Sequence, residues 1–130
     1  MSKLYVVGFG PGGYEHMTVK AVNVINSVDV VTGYTTYIEM LKAYFPEKNY
    51  LSTPMRKEVE RCRLAVEKTM EGNDVAMVSS GDSGIYGMAG IVLQIVEEMH
   101  ADIEVEVVPG VTAASAAAAV LCAPLMHDLT

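Results

Sequence analysis

The stretch from Lys3 to Ser27, KLYVVGFGPGGYEHMTVKAVNVINS, decides the fold. It opens with KLYVV, a short apolar run of the length and residue type of a buried strand. The run breaks into Gly8-Phe9-Gly10-Pro11-Gly12-Gly13, a loop that the glycines leave free for tight turns and close approach. From Thr18 to Ser27 the apolar residues Val19, Val22 and Ile25 recur at helical spacing, with Thr18 placed as a helix cap. Strand, glycine loop and helix in that order are the opening unit of an α/β domain with a parallel sheet.

The same alternation continues along the chain. Val28 to Thr32 (VDVVT) reads as a second strand and Tyr34 to Tyr44 as a helix closed by Pro46. Arg56 to Glu71 is expected to be helical, with Val59, Cys62, Ala65, Val66 and Met70 on one face and Gly72 as the stop. Asp74 to Ser79 is expected as the third strand, Tyr86 to Met99 as a helix with Ile91, Ile95 and Met99 in register, and Glu104 to Val108 as the fourth strand. An alanine-rich helix is expected over Thr112 to Leu121. The expected architecture is a three-layer α/β domain with a mainly parallel sheet. In such sheets ligands bind beyond the carboxyl ends of the strands. The glycine-rich or Pro-Gly loops each follow a strand, so all are expected on one rim.

Composition sets outer limits. The 130 residues amount to about one domain, and 51% of them are hydrophobic against 19% charged. The net charge of −7 argues against a nucleic-acid partner, which would call for a basic face. No apolar run reaches the ~20 residues of a membrane span. Two cysteines, Cys62 and Cys122, with no CxxC spacing, and three scattered histidines give no metal site. The start MSKLYVV lacks the pattern of a secretory signal, so a cytoplasmic protein with reduced thiols is expected. Arg56, Lys57, Arg61 and Arg63 form one basic cluster with two readings. One is a solvated helix face paired with Glu58, Glu60 and Glu67. The other is a docking patch for a substrate with several carboxylates.

Three loops carry the functional argument. In the first, Gly8, Gly10 and Gly13 satisfy a GxGxxG spacing, yet Pro11 removes an amide donor that a phosphate cradle requires. The second strand carries Asp29 near its start rather than an acidic residue at its end, which further disfavours a dinucleotide site. The second loop is Ser79-Ser80-Gly81-Asp82-Ser83-Gly84-Ile85-Tyr86-Gly87-Met88-Ala89-Gly90, where Asp82 serves either as a helix cap or as a ligand contact. The third is Pro109-Gly110-Val111-Thr112-Ala113-Ala114, with Thr112 as a cap or a cofactor contact. Taken singly these loops are ambiguous. In order and at their intervals, GFGPG, SSGDSGIYG and PGVTAA resemble the tetrapyrrole (corrin/porphyrin) methylase family over essentially the whole chain. Gly33 to Ile38 (GYTTYI), SSGDSGIYGMAG and APLMHDL resemble its C17-methylating branch in particular.

The resemblance implies an S-adenosylmethionine-dependent methyltransferase of cobalamin biosynthesis that acts on a precorrin-type tetrapyrrole with contraction of the macrocycle. It implies a two-domain, typically homodimeric protein, of which residues 1–130 would be the N-terminal domain and the C-terminal domain would lie outside this chain. It places Gly10, Pro11, Ser80, Gly81, Asp82, Ile85, Thr112 and Ala113 around the cofactor, and makes Asp82 and Tyr34 the catalytic candidates, with Tyr37 beside them as a substrate contact. Half-buried packing is the alternative for both tyrosines. Two positions depart from the family pattern. Ser83 stands where many members have proline, and Tyr34 stands where uroporphyrinogen-methylating members have an aspartate, so that branch's acid–base assignment does not transfer. Other branches (C11 or C20 precorrin methylases, diphthine synthase, ribose methylases), a non-catalytic ligand-binding domain and a dehydrogenase half are the rival readings.

Overall fold

A computed structural model describes residues 2–9, 14–54, 57–79 and 84–110. Five strands, β1 (Lys3–Gly8), β2 (Val30–Tyr34), β3 (Asn49–Thr53), β4 (Val75–Ser79) and β5 (Glu104–Val108), alternate with four helices, α1 (Val19–Ser27), α2 (Thr35–Tyr44), α3 (Glu58–Met70) and α4 (Gly84–Glu98). The strands form one sheet in the order β3-β2-β4-β1-β5. Every pairing is parallel. All carboxyl ends therefore share one rim.

Each strand divides its residues between two cores. Leu4, Val6, Val30, Val75 and Met77 face α3 and α4, where they meet Cys62, Ala65, Val66, Ile85, Val92 and Ile95. Val7, Val31, Ala76, Val78 and Val108 face α1 and α2, where they meet Ala21, Val24, Ile25, Ile38 and Leu41. The period of two in side-chain direction makes this partition. β4 lies at the centre and all five of its residues are buried. An unbroken apolar run is what a strand covered on both faces requires.

The expectations for α1 to α4 hold with small shifts. The Thr18 hydroxyl accepts from the Ala21 N–H at 3.1 Å and caps α1. α3 presents a different stripe from the expected one. Arg61, Cys62, Ala65, Val66 and Thr69 are buried, whereas Val59 and Met70 are exposed. The sheet turns the helix toward the 61/65 ridge, which periodicity alone could not choose over its neighbour.

Two strand expectations need correction. The described residues form five strands, not four, because Asn49–Thr53 pairs beside β2 as an edge strand. Its mixed residues Asn49, Tyr50, Leu51, Ser52 and Thr53 give no clear alternation, and it becomes a strand through that pairing. Asp74 to Ser79 thus holds the fourth strand and Glu104 to Val108 the fifth. β2 runs over Val30–Tyr34 rather than 28–32. Gly33 looks like a strand breaker in sequence. In the fold, a Cβ there would stand 2.5 Å from the Val78 Cγ2 and 3.0 Å from the Val78 carbonyl oxygen, so glycine is what lets β2 approach β4.

The amino rim is tied by carboxylates. The Asp74 carboxylate accepts from the Lys3 N–H at 3.0 Å, and the Asp29 carboxylate accepts from the Asp74 N–H at 2.9 Å. Asp29 is therefore committed at the end of the sheet opposite the glycine loops.

On the β5 edge, Glu106 lies 2.8 Å from the Lys3 Nζ and 2.7 Å from the Lys20 Nζ. Hydrogen bonds from Lys20 and Lys3 pull the Glu106 carboxyl from an ordinary 4.5 down to about 2. A depressed carboxylate stabilises the fold above its unfolded value and loses that contribution as pH falls toward its folded value. Between pH 4.5 and 2, the urea midpoint of the native chain is therefore expected to fall more steeply than that of Glu106→Gln. Added salt should narrow the difference, because the pair is exposed to solvent.

Among buried side-chain polar atoms of the described residues, the Thr32 hydroxyl has no hydrogen-bond partner. It sits in mid-β2 at 1% exposure. An unsatisfied buried hydroxyl costs about 1–3 kcal/mol. Thr32→Val keeps the shape and removes the unsatisfied group, so it is expected to raise stability by about 1 kcal/mol in urea unfolding.

Candidate functional site

The sheet order brings together what the sequence separates. β4, β1 and β5 are neighbours, and they are the strands that lead into the glycine-rich loops. The residues flanking those loops touch. The Phe9 N–H donates to the Ser79 carbonyl at 2.9 Å, joining the ends of β1 and β4. Gly110, just beyond β5, lies so close that a Cβ on it would meet the Phe9 carbonyl oxygen at 2.6 Å and the Gly8 carbonyl oxygen at 2.7 Å. Strand ends distant in sequence thus lie side by side, with β1 one strand spacing, about 5 Å, from β4 on one side and from β5 on the other.

The helices add a second feature. The segments after β1 and β2 lead to α1 and α2 on one face, and the segment after β4 leads to α4 on the other. β4 is therefore flanked on both sides by strands whose connections leave in the opposite direction. A crevice opens at such a switch in connection, beyond the carboxyl ends of the strands.

The β2 side of the rim is aromatic. Tyr34 ends β2 and half-buried Tyr37 lies in the first turn of α2. Their rings meet edge to face at 5.8 Å, and Tyr37 contacts buried Phe9 at 5.1 Å. At the far end of α2, Tyr14 stacks on Tyr44 at 4.0 Å. The tyrosines expected as substrate contacts are thus also packing elements. Tyr34 has no side-chain capping bond to α2.

Of the expected cofactor residues, Gly10, Pro11, Ser80, Gly81, Asp82, Thr112 and Ala113 lie outside the described residues, as does the expected helix from 112 to 121. Ile85 lies in the first turn of α4 with 1% exposure, packed in the core against α3. Its side chain fixes the start of α4 beside the rim.

One residue of the basic cluster behaves differently from the solvated-face reading. Arg61 is only 6% exposed. Its Nε donates to the Thr53 hydroxyl at 2.6 Å and an Nη to the Pro54 carbonyl at 3.3 Å. Lys57, by contrast, pairs with Glu60 on the surface. Arg56 lies outside the described residues. The sequence signal for Arg61 was its place one residue before Cys62 and four before Ala65, on the edge of the buried stripe. Next to it, burial pushes the Cys62 thiol up to about 11, so that it stays protonated at neutral pH.

No group of His, Cys, Asp or Glu among the described residues is arranged to hold a metal ion, and no described helix is long and apolar enough to cross a membrane. The described rim consists of backbone, small residues, hydroxyls and aromatic rings, with the Arg61 guanidinium bonded at the end of β3. At this rim Gly110 packs directly against the main chain of Gly8 and Phe9.

Comparison with known proteins agrees with this geometry. The family model for tetrapyrrole (corrin/porphyrin) methylases matches residues 3–130. A probable cobalt-factor III C(17)-methyltransferase of Salmonella typhimurium is 47% identical over 125 residues, which is 96% of this chain and 52% of that protein. A precorrin-3B C(17)-methyltransferase of Sinorhizobium is 35% identical over 128 residues, covering 96% of this chain and 50% of that protein. The chain thus spans about half the length of these relatives. Among solved structures, the methyltransferase CobJ superposes with a TM-score of 0.77 at 32% identity, over 96% of this chain and 53% of that one. With the loops in family order, the sheet that gathers them and a family match over nearly the whole length, this chain belongs to the tetrapyrrole (corrin/porphyrin) methylases.

Proposed function

We propose that the chain is the S-adenosylmethionine-binding half of a methyltransferase that methylates C17 of a cobalamin precursor, precorrin-3B or its cobalt-containing form, with ring contraction. The observation that carries the reading is the meeting of the carboxyl ends of β1, β4 and β5 at one rim, fixed by the Phe9–Ser79 hydrogen bond and the Gly110 contact. S-adenosylmethionine, when bound, supplies a methyl group already activated by its sulfonium. The chain need then provide no nucleophile and no metal. Its task is to hold the two reactants in line and to exclude water, an arrangement that lowers barriers by ~7–11 kcal/mol in favourable cases.

In this reading Gly10 and Pro11 border the cofactor from the β1 loop. Ser80, Gly81 and Asp82 line it from the β4 loop, with Ile85 setting the start of α4. Thr112 and Ala113 close it from the β5 loop. Asp82 and Tyr34 face the macrocycle, and Tyr37 supports Tyr34. A second domain, a homodimeric assembly and a cytoplasmic location belong to the same proposal. The name of the Salmonella relative favours the cobalt-containing substrate.

The test is direct. Calorimetric titration with S-adenosylhomocysteine, with NADH as control, should show binding of the first and not of the second. Incubation of the full-length protein with S-adenosylmethionine and cobalt-factor III should add one methyl group by mass spectrometry. Selective NADH binding would overturn the proposal.

A further inference from the structure

We infer that Arg61, with Thr53, forms a buried seat for a carboxylate on the edge of the tetrapyrrole macrocycle, an inference that rests on the methyltransferase reading and deepens it. Arg61 is the one charged side chain in the buried set of the described residues. Its known bonds go to a hydroxyl and a main-chain carbonyl, both uncharged. No carboxylate among the described residues forms an ion pair with it. A guanidinium withdrawn from water without a counter-charge is costly, and buried charges are ordinarily paired. Beyond these two hydrogen bonds the rest of its donor fork has no partner among the described residues, and that fork matches a carboxylate in shape and charge.

The surroundings support an anion. The chain carries a net charge of −7. Yet the described residues at the carboxyl ends of all five strands include no aspartate or glutamate. The acidic pair Asp29 and Asp74 is held at the opposite rim. Thr53 is the last residue of β3, so the guanidinium is pinned at the carboxyl end of that strand. Thr53 is itself anchored, since its carbonyl accepts from the Thr35 hydroxyl at 3.2 Å. Having accepted from Arg61, the Thr53 hydroxyl still has its own proton to donate.

Position separates the two kinds of carboxylate that the reaction brings in, that of the methionine moiety and those of the macrocycle. The cofactor loops arise from β4, β1 and β5, whereas Thr53 ends β3, two strands beyond β4. That is roughly 10 Å from the nearest cofactor strand at the usual spacing. A broad, carboxylate-bearing macrocycle reaching outward over the aromatic end of β2 covers this span. The cofactor, held at the switch crevice, does not need to.

The experiment measures the affinity of the full-length protein for S-adenosylhomocysteine by calorimetry and for uroporphyrin, a polycarboxylate tetrapyrrole probe, by fluorescence. Arg61→Gln should weaken uroporphyrin at least tenfold, the loss expected for a charge-assisted pair, and leave S-adenosylhomocysteine within twofold. Arg63→Gln, on the exposed side of the same helix, should change neither. Loss of S-adenosylhomocysteine affinity with uroporphyrin unchanged would assign the seat to the cofactor and overturn the inference. Unchanged affinity for both in a folded variant would show that the guanidinium is neutralised within the protein and would also overturn it. If Arg61→Gln does not fold, Arg61→Lys and Thr53→Val decide, since each should weaken uroporphyrin more than threefold and failure of both sinks the seat. If the unsubstituted protein binds neither probe, the methyltransferase reading falls, which is distinct from loss of the seat alone.

Discussion

Gly110→Ala is expected to lower stability by about 2 kcal/mol and to weaken S-adenosylhomocysteine binding at least tenfold. The added Cβ would stand 2.6 Å from the Phe9 carbonyl oxygen, 2.7 Å from that of Gly8 and 2.8 Å from the Phe9 carbonyl carbon. All three atoms are main chain, and they belong to two held residues, Gly8 in the sheet register and Phe9 by its bond to Ser79. No side chain can rotate away to make room. The strain must move either the end of β1 or the segment after β5, and overpacking of this kind costs about 1–3 kcal/mol. The loss in binding exceeds the loss in stability in functional weight, because both segments that separate lead into the proposed cofactor loops. Gly87→Ala is the matching control. It lies in α4 with nothing near its missing Cβ, so alanine should stabilise by about 0.5–1 kcal/mol through helix propensity. Urea unfolding and calorimetry on both variants check the pair. A Gly110→Ala protein with native stability and native affinity would show that the contact between the β1 and β5 ends does not shape the site.

Met77→Ala is expected to remove about 2–5 kcal/mol of stability, the range for truncating a large buried side chain. Met77 is fully buried in the middle of β4, paired with Val6 on one side and Thr32 on the other. It fills the sheet face beneath α3 and α4 with Leu4, Val6 and Val75. Neighbouring strands are fixed by hydrogen bonds on both sides, so the cavity cannot close by collapse and the upper half of the range applies. A stability loss below 1 kcal/mol in urea unfolding would contradict the packing described for this core. Because the proposed site lies at the strand ends, away from this core, affinity in the surviving folded fraction should change little. This separates Met77 from Gly110.

Much of this was legible before folding. KLYVV, VAMVS and EVEVV are strands because short β-branched and apolar runs bounded by glycine or proline have few other uses. Thr18 is a cap because its hydroxyl is the right reach from the first free amides of α1. The failures share a cause. Asn49–Thr53 has no strong pattern of its own and gains its strand character from β2. Gly33 signals a break by residue type but is needed inside a strand, because Val78 occupies the space its side chain would take. Arg61 reads as a surface cation among other cations, and only the rotation of α3 against the sheet buries it beside Thr53.

By itself the sequence determined the alternation of strand and helix, the parallel sheet with three glycine-bearing loops on its carboxyl rim, and the family those loops belong to, since local propensity, apolar period and motif order are all properties of neighbouring residues. The tertiary structure alone decided that β1, β4 and β5 lie side by side and that Gly110 packs against the end of β1. It also decided that one arginine of the basic cluster is buried at the end of β3. Strand order and helix rotation are set by packing between residues distant in the chain, and no local pattern encodes them.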